Sequence, residues 1–215
     1  MTALDLAPAH LLRDRADASR LAIGADAADL LFRDARTAHA FTGDEVTDEQ
    51  MRAVYDLVKW GPTALNGQPL RVVLVRSDEA RERLVPLMSG NNRRRVAGAP
   101  LVAILAADLD WHDELPRVFP AYAGARESFQ VNEAVRHEMA LQNAALQAGY
   151  FIVGVRAAGL AAGPMGGFDA DAVGREFFPD GAHRPVLVVN IGYADETGHY
   201  PRNTRLDYDE VFTAA

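Results

Sequence analysis

Trp60-Gly61-Pro62-Thr63-Ala64-Leu65-Asn66-Gly67-Gln68-Pro69 runs straight into the apolar stretch Val72-Val73-Leu74-Val75, and this junction decides how the chain is read. Pro62, Pro69, Gly61 and Gly67 break any helix here. Thr63, Asn66 and Gln68 offer hydrogen-bond donors and acceptors without fixed charge. A loop of this chemistry between a helix and a buried strand suits a neutral, heteroatom-rich planar ring. The same residues are equally compatible with a plain helix-to-strand connection.

Upstream, Thr47-Asp48-Glu49-Gln50 carries a helix-start signature, with Thr47 as N-cap and Gln50 three residues on. Met51, Val54, Tyr55 and Val58 continue it as an i, i+3, i+4, i+7 stripe that ends at Gly61-Pro62. An earlier helix is expected over Asp26–Ala35, preceded by a variable tail over residues 1–27. Downstream, a strand is expected at about Leu70–Arg76 and a short helix at Glu79–Met88. The unbroken run Leu101–Ala106 reads as a central strand buried on both faces. From Asp108 to Phe129 the chain is irregular and aromatic (Trp111, Phe119, Tyr122, Phe129), the pattern of a mobile lid or pocket wall, or of a surface excursion held by aromatic plugs. Asn132–Leu160 is the longest helical pattern, apolar around most of its circumference, and so belongs in a core or a dimer interface. Gly159 and Gly163-Pro164 stop it, and Val186–Gly192 is a further buried strand. Helices and strands alternate without a strict βαβ order, which predicts an α+β fold in one domain over residues 28–215.

Charge and composition exclude several classes. A net charge of -8 over 215 residues argues against non-specific nucleic-acid binding, which needs a basic footprint. No run is long enough to span a bilayer, and the charged start does not read as a signal peptide. The chain has no cysteine, which removes disulfides, thiolate catalysis and most structural zinc sites and is compatible with a cytoplasmic location. Its six histidines show no paired metal-ligand spacing, so no metal site is expected.

Two further features join the opening loop. In Gly163-Pro164-Met165-Gly166-Gly167-Phe168-Asp169, paired glycines let backbone N–H groups approach a ligand closely, although a helix cap followed by a turn has the same residues. Scattered cations form the second: Arg33, Arg36 and His39, Arg95 beside the neutral Asn92, and Arg202 with Arg205. Guanidinium groups from remote segments can converge on a phosphomonoester, though any single one is as well explained as a solvated helix residue.

In this order the features resemble the nitroreductase family of FMN-dependent oxidoreductases. Pro62-Thr63-Ala64-Leu65-Asn66-Gly67-Gln68-Pro69 is similar to that family's Pro-Ser-x-x-x-x-Gln-Pro loop, and Gly163–Asp169 resembles its second flavin loop. Within the family the strings Leu31–Thr37, Lys59–Thr63, Gly163-Pro164-Met165 and Asn190-Ile191-Gly192-Tyr193 look closest to the malonic semialdehyde reductase subgroup. The resemblance implies a three-layer fold, with a central mixed sheet flanked by helices, in an intertwined homodimer. It further implies FMN at the subunit interface, NADH or NADPH as reductant, a small-molecule electron acceptor and ping-pong hydride transfer through flavin N5. The residues it carries over are Arg36, Thr37 and His39 for the phosphate, Asn92 and Arg95 for the pyrimidine edge, and Arg202 or Arg205 for a further phosphate contact. Around the ring it carries over Pro62, Thr63, Asn66 and Gln68 from one loop, and Pro164, Met165, Gly166 and Gly167 from the other. The flavin carries the chemistry, so no catalytic side chain is expected. A flavin-binding or flavin-destroying protein without general reductase turnover, or a flavin-free dimeric interaction protein, shares the same motifs.

Overall fold

The computed structural model describes residues 21–195 and 199–215. Most of the expected variable tail, residues 1–20, lies outside them. Its end forms a short helix, α1 (Ala25–Ala28), which continues as a wider turn through Asp29–Arg33.

Four strands form the frame: β1 (Leu70–Val75), β2 (Leu101–Asp108), β3 (Ala161–Met165) and β4 (His183–Gly192), in the spatial order β1-β2-β4-β3. Every pairing is antiparallel, so within one chain the sheet is not the mixed sheet that was expected. The connections explain this. β1–β2 and β3–β4 are consecutive pairs that run antiparallel, and the crossover from β2 to β3, which includes the long helix Glu133–Ala157, passes over β4, so strands of like direction are never adjacent. β2 is central, with Leu101–Ala107 fully buried, as its continuous apolar run predicts.

Helices cover both faces. On one, α2 (Asp48–Val58) and α7 (Glu133–Ala157) bring Met51, Val54, Phe151 and Val155 against Leu101, Ala103, Leu105 and Ile191. α2 begins with the predicted capping box: Gln50 N–H reaches the Thr47 hydroxyl at 3.3 Å and Thr47 N–H reaches Gln50 Oε1 at 2.9 Å. On the other face, α3 (Asp78–Leu84), α4 (Asn92–Ala97) and α8 (Ala170–Phe177) bury Leu84, Val96 and Val173 against Val102, Ile104 and Val188. Each buried Leu or Val side chain contributes about 1.5–3 kcal/mol of transfer free energy, so the sheet is held by its two covers rather than by its edges.

α7 ends where its sequence says it should. Gly159 sits at φ +75, with its N–H on the Arg156 carbonyl and the Leu160 N–H on the Val155 carbonyl, a Schellman closure. β3 follows at once, although the sequence reads this stretch as a turn. Gly163 and Pro164 weaken any strand signal, and Pro164 is tolerated because β3 is an edge strand.

The Asp108–Phe129 segment is more ordered than an irregular lid. It holds a 3₁₀ turn (Trp111–Glu114), α5 (Leu115–Val118) and α6 (Ala125–Gln130), with Trp111, His112 and Leu115 buried. Trp111 is a core plug. Glu114, Arg117 and Val118 form part of a cleft wall.

Candidate functional site

The predicted site residues fall into two groups on opposite edges of the sheet.

At the β3 edge, the segment after α1 is pinned by the Ala38 N–H, which donates to the Ala162 carbonyl at 3.2 Å. Gly163 is required there, because a Cβ would lie 2.6 Å from the Ala38 carbonyl oxygen. This brings Arg36 and His39 beside the strand, with Thr37 exposed between them. Burial, together with the charges of Arg95 and His199, holds the His39 pKa below its ordinary 6.5, so three basic side chains share one neighbourhood. The His39 ring also packs on Tyr200, with centroids 4.6 Å apart. Arg36 Nη1 is buried and has no hydrogen-bond partner among the described residues. A buried guanidinium N–H without an acceptor is costly, and an anionic ligand is its natural complement.

α4 closes this edge. Asn92 Nδ2 donates to the Gly167 carbonyl at 3.0 Å, and the Ser89 N–H donates to the same oxygen at 3.0 Å. A Cβ on Gly167 would stand 2.8 Å from Asn92 Nδ2, so glycine is needed for this contact; at Gly166 a Cβ would meet open space. Arg95 Nη1 leans on Asn92 Oδ1 at 3.4 Å. Asn190 on β4 donates Nδ2 to the Arg95 carbonyl at 2.9 Å and thereby anchors α4 to the sheet. Met165 does not present a side chain here, since it is buried in the apolar core and leaves only its backbone to a ligand. Of the C-terminal pair, Arg202 donates to the Arg33 and Ala35 carbonyls beside the cradle, whereas Arg205 bonds to the Asn203 and Thr204 carbonyls of its own segment.

At the β1 edge sits the opening loop, with an exposed Pro62 and a half-buried Thr63. Leu65, Asn66 and Gln68 have φ of +53, +53 and +45. Non-glycine residues hold such angles only when their surroundings over-determine them. Here the Gln68 N–H reaches the Thr63 hydroxyl at 3.2 Å and Gln68 Nε2 donates to the Asn66 carbonyl at 3.0 Å. Asn66 Nδ2 donates to the Val118 carbonyl at 2.9 Å, and Asn143 Oδ1 on α7 accepts the Ala64 N–H at 2.8 Å. The polar side chains expected to grip a ring thus spend part of their capacity on their own loop. Beside it lies a cleft of about 330 Å³, lined by Tyr55, Lys59, Gln68, Arg71, Arg117 and Gln147 among others.

Two strands separate these edges, a span of about 14 Å. Asn143, Gln147 and Tyr200 carry no role in the sequence reading, Trp111 enters it only as part of a lid or pocket wall, and Asn190 only within a string shared with the family. Asn143 and Gln147, an i, i+4 polar pair in the Ala-rich middle of the long helix, are the legible signal among them.

A three-layer α+β sandwich with a basic, glycine-lined cradle defines a flavoreductase-like architecture, and comparison with known proteins specifies it. The Nitroreductase family model matches residues 33–193, and the chain belongs to the nitroreductase family. A Streptomyces coelicolor protein described as an NADH dehydrogenase/NAD(P)H nitroreductase is 58% identical over 187 residues, covering 87% of this chain and 95% of the relative. One of the same description from Leptothrix cholodnii is 50% identical, covering 83% and 91%. Among solved structures, the nitroreductase ydfN of Bacillus subtilis superposes with TM-score 0.78 at 25% identity, covering 86% of this chain and 97% of that one. A nitroreductase from Exiguobacterium sibiricum, solved in complex with FMN, shares the fold with TM-score 0.74 at 20% identity, covering 86% and 95%.

Proposed function

We propose that the protein is an FMN-dependent NAD(P)H oxidoreductase acting as a homodimer, with each flavin held between the β3 edge of one subunit and the β1-edge loop of its partner. The observation that carries this reading is the buried Nη1 of Arg36, which has no hydrogen-bond partner among the described residues, at the edge of the sheet that also holds His39 and Arg95. A phosphomonoester has the charge and acceptor count to satisfy it.

In this reading Arg36, Thr37, His39 and Arg202 hold the phosphate, and Asn92, Arg95 and the Gly166-Gly167 backbone meet the pyrimidine edge. Thr63, Asn66 and Gln68 come from the other subunit, because one chain keeps them at the far edge of its sheet. Large apolar side chains left exposed support a second copy: Trp60 at 80%, Tyr150 at 45%, Leu206 at 69% and Phe212 at 61%. Bound there, FMN supplies reversible hydride acceptance, which lets a reduced nicotinamide and an oxidised acceptor react in turn. The chain's own task is placement: basic side chains fix the phosphate, and the strained loop fixes one face of the site.

For the acceptor we favour a small carbonyl compound such as malonic semialdehyde, reduced to 3-hydroxypropionate, with nitroaromatics and quinones as further substrates. Lys59, Arg71 and Arg117 line the neighbouring cleft, where they pair with Asp56, Asp108 and Glu114, and a carboxylate-bearing substrate would compete for them. The cytoplasm, where reduced nicotinamides are regenerated, is the proposed location. The test is an absorption spectrum of the purified, FMN-supplemented protein before and after anaerobic NADH or NADPH. Flavin bands that bleach support the reading. Protein that takes up no flavin overturns it.

A further inference from the structure

We propose that Trp111 is a positioning residue: its indole edge clamps the Pro62–Pro69 loop at Gly67 and so fixes the conformation in which that loop meets a flavin. The clamp itself stands on geometry alone, and its consequence for flavin rests on the function proposed above.

Gly67 does not owe its identity to backbone freedom. Its φ and ψ of −71° and −20° are ordinary right-handed values that alanine adopts without strain. Space is the reason, since a Cβ there would lie 2.4 Å from Trp111 Cε3 and 2.6 Å from Cζ3. The indole cannot easily yield. It is buried, donates Nε1–H to the Arg136 carbonyl of α7 at 3.0 Å, and packs on Phe129 with centroids 5.0 Å apart. Gly67 is therefore pressed against a rigid wall, and the residues that flank it, Asn66 and Gln68, are the ones held at positive φ. Thr63, Asn143 and Arg71 secure the two ends of the loop by hydrogen bonds. The indole supplies the contact at its middle. Trp111 touches no ligand in this scheme and acts through the backbone of Gly67.

A double-mutant cycle of Gly67→Ala and Trp111→Phe tests the clamp. Phe withdraws the Cε3–Cζ3 edge while keeping an aromatic ring in the core. Two quantities are read: hydrogen-exchange rates of the Asn66, Gly67 and Gln68 amides in the purified protein without added flavin, and the FMN dissociation constant by fluorescence titration. Gly67→Ala alone should speed exchange and weaken FMN binding roughly tenfold, while in the Trp111→Phe background it should change either by less than about twofold. Trp111→Phe alone should speed exchange at Gly67 and Gln68. Equal effects of Gly67→Ala in both backgrounds, or wild-type exchange in Trp111→Phe, overturn the clamp. Should Gly67→Ala not fold, recovery of folding in the double variant supports the clamp and failure of both overturns it. Wild-type protein that binds no FMN overturns the flavin reading, and the exchange cycle still decides the clamp.

Discussion

The two edges of the sheet are built on opposite principles. At the β3 edge charge is left over: Arg36 Nη1 has no acceptor among the described residues, and the His39 pKa is lowered by burial and by the nearby Arg95 and His199. At the β1 edge the polar side chains are partly committed, with Thr63, Asn66 and Gln68 each bonded within the loop or to its neighbours and strained φ angles held in place. The first edge waits for a counter-charge; the second presents a preformed shape. Substitutions should therefore separate them, because removing a waiting group harms binding and removing a bonded one harms folding.

The largest effect is expected from Arg36→Ala. Losing a buried charged hydrogen bond to phosphate should weaken FMN binding about a hundredfold. The flavin-free protein should not lose stability, since the Nη1 removed has no partner among the described residues. A melting temperature of the flavin-free variant several degrees below wild type would break the comparison, by showing that Arg36 is structural.

Asn66→Ala should behave in the reverse sense. It removes the bond to the Val118 carbonyl and places alanine at φ +53, where asparagine is better tolerated. A cost of about 1–2 kcal/mol corresponds to a fall of roughly 2–8 °C in the flavin-free melting temperature for a chain of this size. Differential scanning calorimetry on both variants, without flavin, sets the two edges side by side. Equal melting temperatures would remove the distinction.

The contrast also explains what could be read from the sequence. The helix before the loop was legible because its cap and its stripe are local. β2 was legible because burial on both faces leaves an unbroken apolar run. β3 was not, since Gly163 and Pro164 answer to a neighbouring carbonyl and an edge position, neither of which is a local signal. The site motifs were recognised as strings, yet their roles diverged. Met165 turned into the core, and the Asn66 amide nitrogen turned to Val118. Trp111 looked like part of a lid because aromatic residues among prolines carry no period. Its burial, its bond to the Arg136 carbonyl and its contact with Gly67, 44 positions earlier in the chain, show it to be a plug.

Asn190→Leu sharpens the β3 side by acting on it indirectly. Asn190 is 1% exposed, and its Oδ1 lacks a partner among the described residues while its Nδ2 holds the Arg95 carbonyl. Leucine is close in volume and relieves the orphaned acceptor, so stability should change by less than about 1 kcal/mol. α4 loses its tie to the sheet, and FMN affinity should fall roughly threefold to tenfold, in line with the loss of one positioning hydrogen bond. A variant that binds FMN as tightly as wild type would show that α4 needs no such anchor.

His39 should give the smallest effect and the most specific sign. In the free protein burial and the charges of Arg95 and His199 hold its pKa below 6.5, so near pH 7 it is mostly neutral. A phosphate dianion favours the protonated ring and raises that pKa in the complex. Binding is then coupled to proton uptake, and FMN affinity should rise as pH falls from about 8 toward 6, below which the phosphate begins to lose its own second charge. The stability of the flavin-free protein runs the other way. Its unfolded chain takes up the proton more readily than the native state, so the His39 contribution is intact above 6.5 and is lost as pH falls through that value toward the lowered native pKa. His39→Gln should flatten both profiles by about threefold in affinity across this range, leaving the binding at pH 8 nearly unchanged. If wild type and His39→Gln instead trace parallel affinity profiles, His39 is packing on Tyr200 and nothing more, and the waiting charge at the β3 edge belongs to the arginines alone.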